Sequence, residues 1–567
     1  MKREIATGIQ DFESLRENQR FYVDKTDFIR RWWNGGDVVT LITRPRRFGK
    51  TLNMSTLNCF FSNKYADRGE LFEGLKIWED PAMREQQGKW PVVFLSFAEA
   101  KQTDCVSLKE SINQLISDLY NEYRWLLKKP ELSEEDRAFF RKVRDTMPDR
   151  IAAISIRKLC EWLYRYYGKR VLIFLDEYDT PLQEAYINGF WDEMAAYTRA
   201  LFNSTFKTNP SLERGIMTGI TRVSKESIFS ELNNLTVITT TSGRYADCFG
   251  FTEEEVFQTL EEQGFSTKDK REVKRWYDGF TFGPITDIYN PWSVTNFLKE
   301  RKTGIYWANT SSNGLVGKLL RTARPDIKNL FEQLMKGETI KVPVDEQIIF
   351  NQLDTNPAAV WSLLLASGYL KVVHTTSFSE PDAYLSEQIY TLELTNYEVY
   401  RMFDGLIRLW FAQAGGLSDF TKAMLQGDVK NMTRYLNDIM FSCMSSFDGG
   451  NNPSSKLPEN FYHGLVLGLL AENTRDYVIK SNRESGYGRY DVVMEPKDSL
   501  ETAVIMEFKV FDTLDDESSM EDTAMNALKQ IEERKYDTEL LTRGIPAEQI
   551  LRYGLAFRGK ECLIRKA

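Results

Sequence analysis

Cysteine, long apolar runs and excess positive charge are all scarce in this chain, and each scarcity excludes a class of protein. Its six cysteines, at positions 59, 105, 160, 248, 443 and 562, are scattered with no close pair. Neither a zinc cluster nor a disulfide framework is implied, and the thiols are expected to be reduced and mostly buried. No apolar stretch approaches the roughly 20 residues that span a bilayer, and MKREIATGIQDF lacks a signal-peptide core, so no membrane partner is expected and the chain is read as cytoplasmic. A net charge of −9 is not that of a general nucleic-acid binder. Basic residues do cluster locally, in RPRRFGK, KSNRESGYGR and RGKECLIRK. No internal repeat or low-complexity segment stands out.

What is present argues for folded domains throughout: 42% hydrophobic and 13% aromatic residues over 567 positions. That length is more than one core can fill and suggests about three or four domains.

The most informative feature lies near the C-terminus. RYDVVME places Asp491 at the head of one β-type run, and TAVIMEFKV places Glu507, Phe508 and Lys509 near the end of the next, with the turn-like PKDSLE between them. Side chains two apart on a strand share a face, so Glu507 and Lys509 project together while Phe508 packs behind. If the strands pair as a hairpin, Asp491 falls near the same face. Two converging carboxylates could hold a divalent metal, and the lysine could orient water or offset phosphate charge. The Glu-x-Lys spacing is common, recurring at Glu99/Lys101, Glu272/Lys274, Glu300/Lys302, Glu495/Lys497 and Glu533/Lys535. Only Glu507 follows an uninterrupted apolar strand that would drive its carboxylate into the fold. The competing reading is an edge-strand salt bridge.

Near the N-terminus, DVVTLIT reads as a short strand, followed by Arg44-Pro45-Arg46-Arg47-Phe48-Gly49-Lys50-Thr51 and a helical stretch, LNMSTLNCFFS. Strand, tight loop ending Gly-Lys-Thr and helix is the context of a phosphate-binding loop. Lys50 would reach the β and γ phosphates and Thr51 would bind magnesium. The usual first glycine is Arg44 here. Val171–Glu177 is an apolar strand ending in two acids, where Asp176 would hold the magnesium shell and Glu177 would polarise the attacking water. A third run, Gly215–Arg222, ends in hydroxyls and an arginine. Thr218 or Thr221 is expected as γ-phosphate sensor and Arg222 as a phosphate or interface arginine, with ordinary strand-end polarity as the alternative.

SNRESGYGRYD, MEFKV, ALKQIEERKY and YGLAFRGK occur in that order, and the region from about 455 to 567 resembles the PD-(D/E)xK nuclease domain found at the C-terminus of bacterial AAA-ATPase-like proteins. The N-terminal half resembles the same family through FYVDKTDFI, LITRPRRFGKTLNMS, VLIFLDEYDTPL, RWYDGFTFG and IYNPWSVTNFL. The resemblance implies Asp491 and Glu507 as metal ligands, Lys509 as catalytic lysine, Gln530 as an auxiliary polar residue and Glu459 as the acid of the preceding helix. It accounts for the glycine-poor loop, with Gly49 retained and Arg46 and Arg47 adding positive charge near the phosphates. His463, with no second histidine or cysteine nearby in sequence, is read as a packed or interfacial residue. The Trp276–Phe282 and Tyr289–Ser293 blocks are read as interdomain packing.

The expected architecture is α/β: an AAA-like P-loop core over 1–250, a helical lid over 251–335, a helical and winged-helix-like connector over 336–450, and a restriction-endonuclease-like domain over 451–567. FDGGNNPSSKLPE is the clearest linker. The expected function is ATP binding and hydrolysis gating a metal-dependent nuclease that uses magnesium or manganese and acts on nucleic acid, DNA first. A homo-oligomer is compatible with this, but a ring is not implied. The alternative is an ATP-dependent switch or scaffold whose C-terminal domain binds without cutting.

Overall fold

The computed structural model describes residues 4–221, 229, 232–308, 316–317, 319–320, 325–345, 358–375, 388–413, 417–444, 459–470, 476–485, 488–498, 501–511, 517–559 and 561–567. The chain divides into two compact units, one formed by 1–321 and 330–402, the other by 322–329 and 403–567.

The first unit is built on a five-stranded sheet: β1 (Val39–Thr43), β2 (Val92–Ser96), β3 (Val171–Asp176), β4 (Leu212–Gly219) and β5 (Leu235–Ile238), in spatial order β2-β3-β4-β1-β5. All four pairings are parallel. Both faces are covered, so alternate side chains of one strand enter different cores. Val171, Ile173 and Leu175 join Ile116, Leu159 and Leu201 on one side. Leu172 and Phe174 join Trp32, Leu57 and Phe60 on the other. That is why VLIFL reads as unbroken apolar sequence rather than alternation. The registers Thr43↔Gly219 and Leu175↔Met217 bring the C-terminal ends of β1, β3 and β4 to one edge of the sheet.

Residues 252–335 were expected to be helical, and helices do occupy Glu253–Glu262, Thr267–Tyr277, Pro291–Glu300 and Pro325–Met335. A small antiparallel sheet is also present there: β6 (Phe251–Thr252), β7 (Phe280–Phe282) and β8 (Ile285–Tyr289), in order β6-β8-β7. Phe280 and Phe282 are buried with Thr281 between them, a period of two, and Gly283-Pro284 supplies the turn. Further on lie β9 (Ile340–Pro343), the helix Ala358–Ala366, β10 (Leu370–Thr375) and β11 (Ile389–Leu394), the strands pairing antiparallel in order β10-β11-β9.

The second unit carries a mixed sheet of β12 (Tyr477–Ser485), β13 (Gly488–Pro496), β14 (Ala503–Val510), β15 (Ile550–Arg558) and β16 (Glu561–Lys566), in sequential order. Only β14 and β15 are parallel, and the helix Met520–Arg534 makes the crossover between them. Val492, Met506 and Phe508 face a core with Tyr462 and Leu465, whereas Val493 and Ile505 face Leu528 and Ile531 of the crossover helix. No described helix is long and apolar enough to cross a membrane.

Candidate functional site

The first site forms where β1, β3 and β4 end. Gly49 takes a left-handed conformation (φ 79°) and is followed at once by the helix Lys50–Phe61, with Asn53 donating its amide to the Gly49 carbonyl at 2.9 Å. Lys50 is buried, and its ammonium donates to the Arg44 and Pro45 carbonyls, each at 2.9 Å. Burial pulls its pKa down, opposed by the charges of Glu177 and Asp176. Thr51 Oγ1 donates to Asp176 Oδ2 at 2.7 Å, while Thr218 Oγ1 donates to Asp176 Oδ1. Asp176 is fully buried, which pushes its pKa up despite these two donors. Glu177 stands beside it with φ 51°, an uncommon backbone state for a non-glycine residue, and accepts from Thr180 Oγ1 at 3.1 Å. A cleft of about 530 Å³ is lined by Arg46, Arg47, Lys50, Thr51 and Glu177 among others. It is large enough for a small-molecule ligand.

Arg44 points away from this cleft. It is fully buried, donates to the carbonyls of Thr43 at 2.9 Å and Thr239 at 2.7 Å, and lies 4.6 Å from the centre of the Phe282 ring. Burial lowers its pKa to about 10. The residue that replaces the usual glycine therefore braces the loop from behind. Arg47 (φ 64°) holds its guanidinium 4.5 Å from the Trp292 ring, and Arg46 donates to Gln183 Oε1 at 3.4 Å. Phe48 packs edge-on against Phe280 and Phe282, and Asn290 Nδ2 donates to the Arg46 carbonyl at 3.2 Å. The two aromatic blocks thus meet the phosphate-type loop itself.

Thr221 is taken up elsewhere: its hydroxyl and amide both donate to Asp179 Oδ2, each at 2.9 Å, and Ile220 N donates to the same oxygen at 3.0 Å. Thr218, not Thr221, is thus the β4 hydroxyl on the Asp176 carboxylate. Arg222 lies outside the described residues. Asp179, fully buried and held by four donors including Gln183, was not singled out from sequence. Its position one turn after the acidic strand end was the available signal.

The second site is on the C-terminal sheet. β13 and β14 pair antiparallel through Val492↔Met506, so one step further Asp491 and Glu507 stand opposite each other. At that step the main-chain ladder gives way to a side chain: Phe508 N donates to Asp491 Oδ2 at 2.7 Å. Asp491, Glu507 and Lys509 share the face covered by the helix Met520–Arg534. Burial raises the Asp491 pKa, while the Phe508 amide and the charges of His463 and Lys509 draw it down. Glu507 is 4% exposed and accepts from Gln530 Nε2. β14 is the central strand of the sheet, which removes the edge-strand reading of Glu507.

Glu459 opens the helix Glu459–Leu470, but its side chain lies outside the described residues. His463 belongs to the opposite face, 5.7 Å from the Phe508 ring, with Nε2 3.0 Å from the Asp491 carbonyl and 2.9 Å from Ser481 Oγ. Tyr536 was also missed from sequence. Gln530 Nε2 donates to its Oη at 3.2 Å, and burial raises its pKa, with the negative charges of Glu507 and Asp491 adding to the rise. Gln530 thus spends its amide nitrogen on Glu507 and Tyr536 together.

The basic clusters KSNRESGYGR and RGKECLIRK are partly engaged within the protein. Lys480 pairs with Glu495 at 2.5 Å and Glu539 at 2.8 Å, Arg558 with Glu561 at 2.6 Å, and Arg565 with Glu521. The side chains of Arg483 and Arg489 lie outside the described residues.

Comparison with known proteins agrees with this division. Residues 6–229 match a family model described as a predicted AAA-ATPase, and residues 457–567 match one of the PD-(D/E)XK nuclease superfamily. The chain therefore carries an AAA-ATPase-like domain and a C-terminal PD-(D/E)XK nuclease superfamily domain. An uncharacterised protein encoded in the 5′ region of vnfD in Azotobacter chroococcum is 24% identical over 555 residues, covering 96% of this chain and 95% of that protein. Among solved structures, a Walker-type ATPase of Pyrococcus abyssi is similar with a TM-score of 0.35 and 12% identity, over 71% of this chain and 98% of that one.

Proposed function

We propose that this protein binds and hydrolyses ATP in its N-terminal domain and cuts phosphodiester bonds of nucleic acid, DNA first, in its C-terminal domain, with cleavage set by nucleotide state. The observation that carries the cutting activity is the opposition of Asp491 and Glu507 on one face of adjacent strands, with Lys509 alongside. Two carboxylates facing each other with little water are unfavourable as bare anions, and their all-oxygen donor set suits magnesium or manganese. Such an ion, when bound, supplies Lewis-acid polarisation of a phosphoryl oxygen.

The chain's own groups do the remainder. The Phe508 amide fixes the direction of Asp491, and Gln530, oriented by Tyr536, fixes Glu507. The Lys509 ammonium offsets charge that develops on the phosphate and orients the attacking water. In the N-terminal cleft, Lys50 and the helix N-terminus at Gly49 bind phosphates, Arg46 and Arg47 add positive charge, and Thr51 and Asp176 supply the magnesium oxygens. Thr218 holds the second oxygen of Asp176 in place, and Glu177 polarises water.

The test uses the full chain on single- and double-stranded DNA and RNA, with magnesium or manganese, with and without ATP. Cleavage that depends on metal and is lost in both Glu507→Ala and Lys509→Ala is expected. Cleavage that survives both substitutions rejects the assignment. A second reading, an ATP-dependent switch or scaffold whose C-terminal domain binds nucleic acid or protein without cutting, is favoured by the net charge of −9, and would appear in the same assay as nucleotide binding with no cleavage under any metal condition.

A further inference from the structure

A phosphate-binding loop usually owes its shape to its own glycines, whereas here Arg44, Pro45, Arg46 and Arg47 fill that stretch and Arg47 sits at φ 64°. A left-handed arginine is not a relaxed state, so groups outside the loop must hold it. One such contact to the loop's main chain comes from Asn290, which is fully buried and does not line the cleft. Its Nδ2 donates to the Arg46 carbonyl at 3.2 Å. Its Oδ1 accepts from Trp292 N at 2.9 Å and Ser293 N at 3.3 Å, capping the helix Pro291–Glu300. The helix is anchored in turn: Ser293 Oγ donates to Glu398 Oε2 at 2.8 Å, while Glu398 Oε1 accepts the amides of Tyr306 at 2.6 Å and Trp307 at 2.7 Å. Glu398 lies in the first turn of the helix Tyr397–Gln413.

We infer that Asn290 is a positioning residue of the nucleotide site, holding the Arg46–Arg47 peptide so that the following amides face the cleft, and that Ser293 and Glu398 hold Asn290 in register. The inference rests on the ATP-binding reading above. An amide is required at position 290 because the two contacts need a donor and an acceptor on one short side chain. Asparagine meets both demands; aspartate meets only the cap.

Asn290→Asp therefore removes the donor while keeping the acceptor. It keeps the volume and the cap on Trp292 and Ser293 but sets a second acceptor against the Arg46 carbonyl. Titration of the full-length protein with a fluorescent ADP analogue and magnesium is expected to show a loss of about tenfold in affinity, the scale of one disrupted hydrogen bond. The unliganded thermal midpoint should fall, because a carboxylate is buried at this fully enclosed position, so affinity is read under conditions where the variant is folded, and in hydrolysis assays KM should rise while kcat is largely kept. Ser293→Ala, which leaves Asn290 and its cap intact, should weaken binding by about threefold. Wild-type affinity in a folded Asn290→Asp protein overturns the inference. Should that variant fail to fold, unchanged affinity in Ser293→Ala overturns it equally. If wild type itself binds no nucleotide, the ATP-binding reading falls first; tight binding by wild type and Asn290→Asp alike removes only the role of Asn290.

Discussion

The amide of Phe508 donates to Asp491 Oδ2 at 2.7 Å, at the point where the regular β13–β14 ladder stops. The carboxylate therefore has two duties, closing the sheet locally and facing Glu507. Substitutions can separate them. Asp491→Asn keeps an oxygen acceptor for the Phe508 amide and should leave stability nearly unchanged while abolishing metal-dependent cleavage. Asp491→Ala also strands that amide and should cost about 1–3 kcal/mol in addition. Chemical denaturation run beside a nuclease assay distinguishes the two variants.

Asp176 accepts one hydroxyl on each oxygen, from Thr51 and Thr218. In Asp176→Asn the amide nitrogen must face one of those hydroxyls, and the negative charge for magnesium is gone. Hydrolysis of ATP should fall by at least about a hundredfold, as expected when an electrostatic group at a phosphoryl-transfer site is removed. Thr218→Ala should reduce turnover more than nucleotide affinity, because it loosens Asp176 without touching Lys50. Steady-state hydrolysis and equilibrium binding on both variants check this.

Restoring the usual glycine pattern with Arg44→Gly should not improve the nucleotide site. Arg44 faces the Thr43 and Thr239 carbonyls and the Phe282 ring, so truncation removes its hydrogen bonds to both carbonyls and empties a large space. A loss of about 3–5 kcal/mol is expected, the scale of emptying the space of a large buried side chain. Urea denaturation of the variant would show it, and a stability equal to wild type would contradict this account of the loop.

The strands and the chemistry-bearing residues at their ends were legible in the sequence because burial on both faces leaves runs such as VLIFLD that little else explains. Glu507 and Lys509 could be placed on one face by the strand period alone, and Asp491 joined them only on the condition that the two strands pair as a hairpin. The supports were not legible, since they are long-range pairings of ordinary residues. Nothing local tells that Arg44 turns inward toward Thr239, that Thr221 is bound by Asp179, or that Asn290 reaches Arg46. The β7–β8 hairpin was overlooked for a different reason: its apolar alternation is only three residues long on the first strand, inside a stretch dominated by helical patterning.

Burial pushes Glu398 up to about 7, although the Ser293 hydroxyl and three backbone amides favour its charged form. Between the ordinary glutamate value near 4.5 and about 7, the folded chain keeps a proton that the unfolded chain has lost. The contribution of this group is therefore fully present below the lower value and is lost as pH rises through the upper one, by at most about 3 kcal/mol. Glu398→Gln, which cannot titrate, should flatten that part of the profile. Denaturation midpoints of wild type and variant at intervals across this window test it; parallel profiles would show that Glu398 titrates like an exposed acid.

Gly554 tests how closely Gln530 must be held. In the β14–β15 register Gly554 lies beside Glu507, and a Cβ built there would come within 2.2 Å of the Ala524 carbonyl and 3.0 Å of Leu528. The crossover helix thus rests directly on the backbone of β15, and this close approach lets Gln530 reach the Glu507 carboxylate. Ala524 contributes a main-chain oxygen, which cannot turn aside as a flexible side chain would. Gly554→Ala must therefore push the helix outward, at a cost of about 1–3 kcal/mol for overpacking. The displacement also draws Gln530 from Glu507, so cleavage should fall well beyond the change in folded fraction, while ATP hydrolysis in the N-terminal domain is preserved. Gln530→Ala should reproduce the catalytic loss with a smaller effect on stability, because it removes the contact without moving the helix. Full nuclease activity in a folded Gly554→Ala protein would mean that Glu507 needs no support from Gln530.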